Sequence, residues 1–478
     1  MIFGLFKKEQ MADIVFVNGN VYTQDADLPW AEAVACKDGQ ILYVGNSEDV
    51  NSLIGPETHT VDLEGKYMLP GLINTHSHPA QRVFKDSYIE IPASYELDDI
   101  LGMMSDYVFN NPEEEVYFGF GFNDNTLTGL SQEEASAKLD EICEDKPMVI
   151  LSNTEKVLWV NNVALEKARA AAQEDGILQI SLQYFLEAVF PFDHEELQNK
   201  TLELMTEYCE KGFTSIFNAG CPEFMDNFYQ EVVMTMCQQD IIKQRYFGSL
   251  KIIGSKNPKS VISKLIQKNT HTTEMDDYVH FDTLKIIMGD DEDQELNTDE
   301  QNIEPLVTEA AHRGFNVHID VKNHDAFIRC MKLIDNVRNA GFRKNIFIIA
   351  SDSEIVRGNE ELSMDDMCLD NVFFVNSSLC EEENEFASIE GAENIEQVVD
   401  RLTIDAAINL GVSDRLGSIQ KGKLADLIVL EENPFDLLKV SMFKRQSVVM
   451  TIVDGKIVYD AEEDNMSEWY DLISGIQV

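Results

Sequence analysis

The stretch Tyr67-Met68-Leu69-Pro70-Gly71-Leu72-Ile73-Asn74-Thr75-His76-Ser77-His78-Pro79 decides the reading of the fold. An apolar run ends in His-x-His, and on a strand residues i and i+2 point to the same side. Two imidazoles leaving one strand end together make a natural ligand pair for a borderline metal such as zinc. The carboxyl ends of strands are also where the active sites of parallel barrels collect.

Outward from this stretch, the chain from about 68 to 410 alternates. Further short apolar runs are Val116–Phe122, Met148–Leu151, Phe213–Phe217, Leu284–Met288, Phe315–Ile319, Ile346–Ala350 and Val372–Val375. Between them lie segments such as Asn199–Lys211, Asn302–Arg313 and Asp325–Ala340, with apolar residues at helical spacing. Strand–helix alternation implies a parallel sheet, either doubly wound or closed into a (β/α)8 barrel. No GxGxxG follows a strand and no GxxxxGK[ST] occurs, so dinucleotide and P-loop readings have no support. The acidic stretches 289–300 and 381–394 read as solvated loops.

Both ends are rich in strands. Ile14–Val17, Asn18-Gly19 and Asn20–Thr23 read as one hairpin, and Val448–Val453, Asp454-Gly455 and Lys456–Tyr459 as another. Two strand-rich ends around a long middle imply one small β domain assembled from both termini. The expected division is a composite β-sandwich over 12–67 and 411–462, with the barrel over 68–410.

The chain has 478 residues, 37 Lys+Arg against 86 Asp+Glu, and a formal net charge of −49. An apolar fraction of 44% supports a large core and excludes global disorder. The charge argues against nucleic acid or an anionic membrane as partner, because phosphate binding depends on Lys and Arg replacing counterions. The eight cysteines include no CxxC pair, as expected of reduced thiols in a cytoplasmic protein. In MIFGLFKKEQ the lysines follow the apolar residues, the reverse of a secretory signal, and no apolar stretch approaches the ~20 residues of a membrane span. No Lys/Arg cluster falls near the expected strand ends, which argues against a polyanionic substrate.

Beyond these physical readings, MLPGLINTHSHP resembles the first barrel strand of the amidohydrolase superfamily. Tyr117–Asp124, Leu158–Leu165, Lys211–Ile216, Leu284–Gly289, Val317–Ile319, Thr403–Ala407, Gly417–Ile419 and Lys421–Leu427 resemble segments of its YtcJ-like branch, in the family order. The resemblance implies a (β/α)8 barrel with a composite β domain, a homodimer, and metal-assisted hydrolysis of a C–N bond in a small molecule. It implies His76, His78 and His318 as metal ligands. It also places Lys285 where related enzymes carry a bridging carboxylated lysine, and it calls for a proton-shuttling Asp on the last strand.

The departures are specific. Lys156 stands where the family has a histidine, Asp320–Asp325 replaces a Gly-Asp-Arg run, and Ile346–Asp352 contains no histidine. The catalytic carboxylate falls at Asp352, or is lost if Ser377 takes its position. Only two strands fit between His318 and Thr403, so the barrel is expected to be irregular there or short by one βα unit. The ligand set supports one divalent ion, zinc before manganese or iron, rather than two. The alternative function is a non-catalytic paralogue acting as a binding or assembly module.

Overall fold

The computed structural model describes residues 11–175, 177, 179–190, 193–252, 257–272, 278–289, 298, 300–351, 370–376, 386, 389 and 391–462. Its centre is a parallel sheet of β1 (Leu72–Ser77), β2 (Phe213–Asn218), β3 (Arg245–Lys251), β4 (Val279–Met288), β5 (Asn316–Val321), β6 (Phe347–Ser351) and β7 (Val372–Asn376). The strands lie side by side in chain order, and every neighbouring pair is parallel. Helices Glu223–Gln238, Pro258–Thr272, Glu300–His312 and His324–Asn339 connect β2 through β6. The last of these shows the local logic. The Asn323 side chain accepts from the Ala326 N–H and opens the helix, and Ala326, Phe327, Cys330, Met331, Ile334 and Val337 form its buried stripe.

The sheet curls into a half-barrel. β1 and β5 are four strand spacings apart, about 19 Å in a flat sheet at ~4.8 Å per strand. Yet the rings of His76 and His318, carried by these strands, have centroids 5.2 Å apart. Among the described residues the sheet has seven strands and β1 does not pair with β7, so the expected eight-stranded closure is not observed. The inward residues Ile73, Phe217, Phe247, Ile346 and Ile348 instead pack against Ala406, Ala407, Leu410, Val412 and Leu416. Helix Ile404–Asn409 and the chain after it therefore supply the apolar cover of that face.

Three expectations about the strands are corrected. Val116–Phe122 and Met148–Leu151 are not barrel strands: Tyr117–Phe122 and Met148–Ser152 belong to a separate four-stranded sheet with Ile89–Glu90 and Leu158–Val160. A continuous apolar run signals a strand buried on both faces but not which sheet it joins. Conversely, β3 reads RYFGSLK, whose two charged ends conceal it. The apolar part of the Tyr67–Pro79 stretch, expected as one strand over Met68–Ile73, is also divided. Tyr67–Pro70 pairs with Leu427–Leu430, and β1 starts only at Leu72. Gly71 between them is required by contact, because a Cβ there would lie 2.2 Å from Thr214 Oγ1.

Strands from both ends of the chain meet in one six-stranded sheet, ordered Lys456–Asp460, Val448–Val453, Leu427–Leu430, Tyr67–Pro70, Asn20–Tyr22 and Trp30–Ala31. The second expected hairpin forms, with Asp454 at φ 55° and Gly455 at φ 73° in its turn. The first does not. Ile14–Val17 pairs with Ala33–Lys37 and His59–Asp62 in another sheet, while Asn20–Tyr22 pairs with Tyr67–Pro70. Asn18-Gly19 thus carries the chain from one sheet to the next. Ile14, Phe16 and Val34 of one sheet share an apolar cluster with Val21, Met68, Leu427 and Ile452 of the other.

A buried ion pair joins these strands to the parallel sheet. Arg245, the first residue of β3, donates from Nε to Asp426 Oδ2 at 2.8 Å and from Nη2 to Asp426 Oδ1 at 2.8 Å. The two side chains are 1% and 3% exposed. Such a bidentate fork is the geometry in which arginine best offsets desolvation.

No described helix is long and apolar enough to cross a membrane. The acidic stretches 289–300 and 381–394 lie mostly outside the described residues.

Candidate metal centre

The fold brings His76, His318 and Asp320 together. One potential ligand atom from each lies within 4.8 Å of the others. His76 leaves the end of β1, and His318 and Asp320 occupy alternate positions on β5, so both of the latter face the same side. His318 is fully buried and stacks on Phe217, with ring centroids 5.4 Å apart and planes inclined by 13°. Burial and the adjacent Lys285 hold the His76 and His318 rings well below the ordinary imidazole pKa, so both are neutral. Asp320, despite its burial, is held well below the usual carboxylate range by the charge of Lys285 and its hydrogen bond.

Among the described residues, two imidazole nitrogens of this cluster are buried without a hydrogen-bond partner: His76 Nδ1 and His318 Nε2. Buried polar atoms normally find a hydrogen bond, so two orphaned imidazole nitrogens beside an ionised carboxylate match the donor set of a divalent metal. The residues present therefore fit the metal that the sequence implied.

Lys285 is 1% exposed and enters the same cluster. Its Nζ lies 2.9 Å from His318 Nδ1 and hydrogen-bonds Asp320. His78 stands slightly apart. Its Nδ1 is 2.6 Å from the Gly220 carbonyl oxygen, and its ring centroid is 5.3 Å from that of His76. Donation to that carbonyl places the proton on Nδ1 and leaves Nε2 as an acceptor, the usual outer-shell device for orienting a ligand imidazole. Burial and the charge of Lys251 push the His78 pKa down to about 4. Asp352 and Ser377, the two positions considered for the catalytic carboxylate, lie outside the described residues. Lys156 is 3.8 Å from Asp124 and half exposed, in an ordinary surface pair.

Asp320 was not among the candidate ligands expected from the sequence. Its signal was present, because His318-x-Asp320 repeats the two-residue spacing of His76-x-His78. The expectation of no basic cluster at the strand ends is also corrected. Lys251 pairs in register with Lys285, and Lys285 with His318, in one row across β3, β4 and β5, with Lys322 directly after β5. These lysines are far apart in sequence and adjacent only because the strands are.

Residues 59–354 and 373–459 match the amidohydrolase family. The chain belongs to that family. Among similar proteins, the exoenzymes regulatory protein AepA of Pectobacterium carotovorum subsp. carotovorum is 31% identical over 173 residues, 35% of this amidohydrolase and 37% of that protein. The N-substituted formamide deformylase of Arthrobacter pascens is 26% identical over 159 residues, 33% of this chain and 29% of that one. The matched region is thus about a third of the length of these relatives. Among solved structures, a zinc-bound adenosine deaminase from Xanthomonas campestris superposes with a TM-score of 0.52 at 14% identity, covering 97% of this chain and 99% of that one. That likeness shows the amidohydrolase fold. Family membership supports a hydrolytic function and a divalent metal.

Proposed function

We propose that this amidohydrolase is a metal-dependent hydrolase that cleaves a non-peptide C–N bond, an amide or related group, in a small molecule with one divalent ion, zinc before manganese or iron. The observation that carries the reading is that one ligand atom from each of His76, His318 and Asp320 lies within 4.8 Å of the others, while His76 Nδ1 and His318 Nε2 have no hydrogen-bond partner among the described residues. When bound, the ion would supply Lewis-acid polarisation of a carbonyl and a lowered pKa of a water. His76, His318 and Asp320 would hold it, and His78, oriented by Gly220, would add a further donor at the same strand end. Phe217 covers the His318 ring and keeps water from that side.

Lys285 would orient the cluster, with its Nζ 2.9 Å from His318 Nδ1 and hydrogen-bonded to Asp320. The family resemblance also assigns Lys285, in a carboxylated form, to the metal. Asp352 keeps the role of proton-shuttling carboxylate in this reading.

The terminal strands 12–67 and 411–462 are proposed to form one composite β-sandwich domain, supported by their shared apolar cluster. The cytoplasm, a homodimer, and the absence of nucleic-acid and membrane partners belong to the same proposal, supported by the acidic surplus and the free cysteines Cys36, Cys143, Cys209, Cys221, Cys237 and Cys330. Elemental analysis of the purified protein tests the centre of it: one divalent ion per chain is expected, lost in His76→Ala together with amidase activity. Metal-free protein whose melting temperature ignores chelator would refute it.

A further inference from the structure

Three lysines converge on the carboxyl ends of β3, β4 and β5 in a chain with only 37 basic residues against 86 acidic ones. Two buried lysines of this protein have carboxylate partners: Lys285 with Asp320, and Lys268 with Asp226 at 2.8 Å. Lys251 differs. It is partly buried at the last position of β3, in register with Lys285, and has no hydrogen-bond or ion-pair partner among the described residues. Lys251 is only partly buried, so its ammonium stays accessible to water and to an entering ligand.

The surroundings hold Lys251 at the site. Gly220 has φ +95°, and a Cβ there would lie 2.7 Å from Lys251 Cβ, so the glycine leaves room for the lysine stem. The same Gly220 offers its carbonyl to His78. One residue thus positions both the ammonium stem and an imidazole of the metal centre. The charge of Lys251 is the largest electrostatic influence on His78, and Asp320, Cys221, Glu155 and Lys322 are the charged or ionisable neighbours it feels. Lys322, exposed and two residues beyond Asp320, adds a second positive charge at the rim.

We propose that Lys251 anchors an anionic group of the substrate, and that the hydrolysed molecule carries a carboxylate close to its scissile C–N bond. This rests on the metal-dependent hydrolase reading, because it places the anchor beside the metal centre. An entering carboxylate supplies the partner that Lys251 lacks, in a charge-assisted hydrogen bond. The overall charge of −49 repels anions at long range, but screening confines that field to ~8 Å at physiological ionic strength, so the local lysines decide at contact.

The test is calorimetric titration of zinc-loaded protein with N-acetylglycine and with its uncharged counterpart N-methylacetamide, with zinc content measured in the same samples. Wild-type protein is expected to bind the acid at least about tenfold more tightly than the neutral amide. Lys251→Met is expected to weaken the acid by about 10- to 100-fold and leave the neutral amide unchanged, while Lys251→Arg keeps the preference. Wild-type protein that binds neither ligand or both equally overturns the proposal, and this comparison needs no variant to fold. Retention of the preference in Lys251→Met also overturns it. Stoichiometric zinc with an unaltered Lys251→Met refutes the anchor alone. A protein that takes up no zinc, yet binds the acid through Lys251, refutes the hydrolase reading and keeps the anchor.

Discussion

Arg245 and Lys251 are the first and last residues of one strand, and their situations are opposite. Arg245 is matched on every side: a bidentate fork to Asp426, a further contact with Asp454 at 3.3 Å, and the Tyr278 ring 4.9 Å from its guanidinium carbon. At the other end of the sheet Lys251 lacks a partner among the described residues, and the nearby His76 and His318 each leave a buried nitrogen unbonded. The amino ends of these strands use their charges to hold the terminal strands in place. The carboxyl ends keep theirs open. That is the division expected of a parallel sheet whose carboxyl-end loops carry the chemistry and whose opposite face carries stability.

This contrast can be broken at either end. The largest effect is expected from His318→Ala, which removes a proposed ligand outright. Its loss of zinc affinity should exceed the about 10- to 100-fold that removing an outer-shell partner costs. Competition with a chromophoric chelator measures it, and unchanged affinity would take His318 out of the centre. Next is Arg245→Ala, which strands Asp426 in a buried position. Urea unfolding should show a loss of about 3–5 kcal/mol, while the folded fraction still binds one ion. A variant that lost metal and stability in proportion would show the two ends to be coupled and the contrast false.

The pH dependence separates the ends further. The imidazoles of His76, His78 and His318 are depressed in the folded protein, His78 to about 4, whereas an unfolded histidine titrates near 6.5. Between these values the unfolded chain binds protons that the folded chain refuses. Stability of metal-free protein is therefore full above about pH 6.5 and falls steadily toward pH 4. Arg245, raised above its already high ordinary value, contributes nothing to that slope. Thermal melts of metal-free His78→Gln should show a shallower fall over the same range. The smallest effect is expected at the surface, where Lys37 pairs with Asp13 in solvent. Lys37→Ala should leave the melting temperature unchanged within error, since exposed pairs contribute little.

How much could be read beforehand follows from the range of each signal. His76 and His78 were legible because strand alternation is a two-residue rule, and Pro79 at the start of the next helix marked where the strand ended. His318 was legible only through the family resemblance, at the end of the apolar run Phe315–Ile319. Asp320 obeyed the two-residue rule, but in a chain with 86 acidic residues a single carboxylate after an apolar run carries little signal by itself. Val116–Phe122 was correctly a strand and wrongly a barrel strand, since hydrophobicity reports burial and not the identity of the neighbour. Asn18-Gly19 had the composition of a hairpin turn, but Val21 finds its core against Met68 and not back on Ile14–Val17.

The sequence by itself determined the alternation of strands and helices, the strand-rich ends, the amidohydrolase resemblance and three imidazoles at strand ends. Each of these is written in local periodicity or in a contiguous motif. Only the tertiary structure decided that seven strands curl far enough to bring β1 against β5, and that Asp320 joins His76 and His318 within 4.8 Å. It alone decided that lysines from three separate strands share one rim. Those are distances between residues remote in the chain, and they depend on sheet curvature and register, which no local pattern encodes.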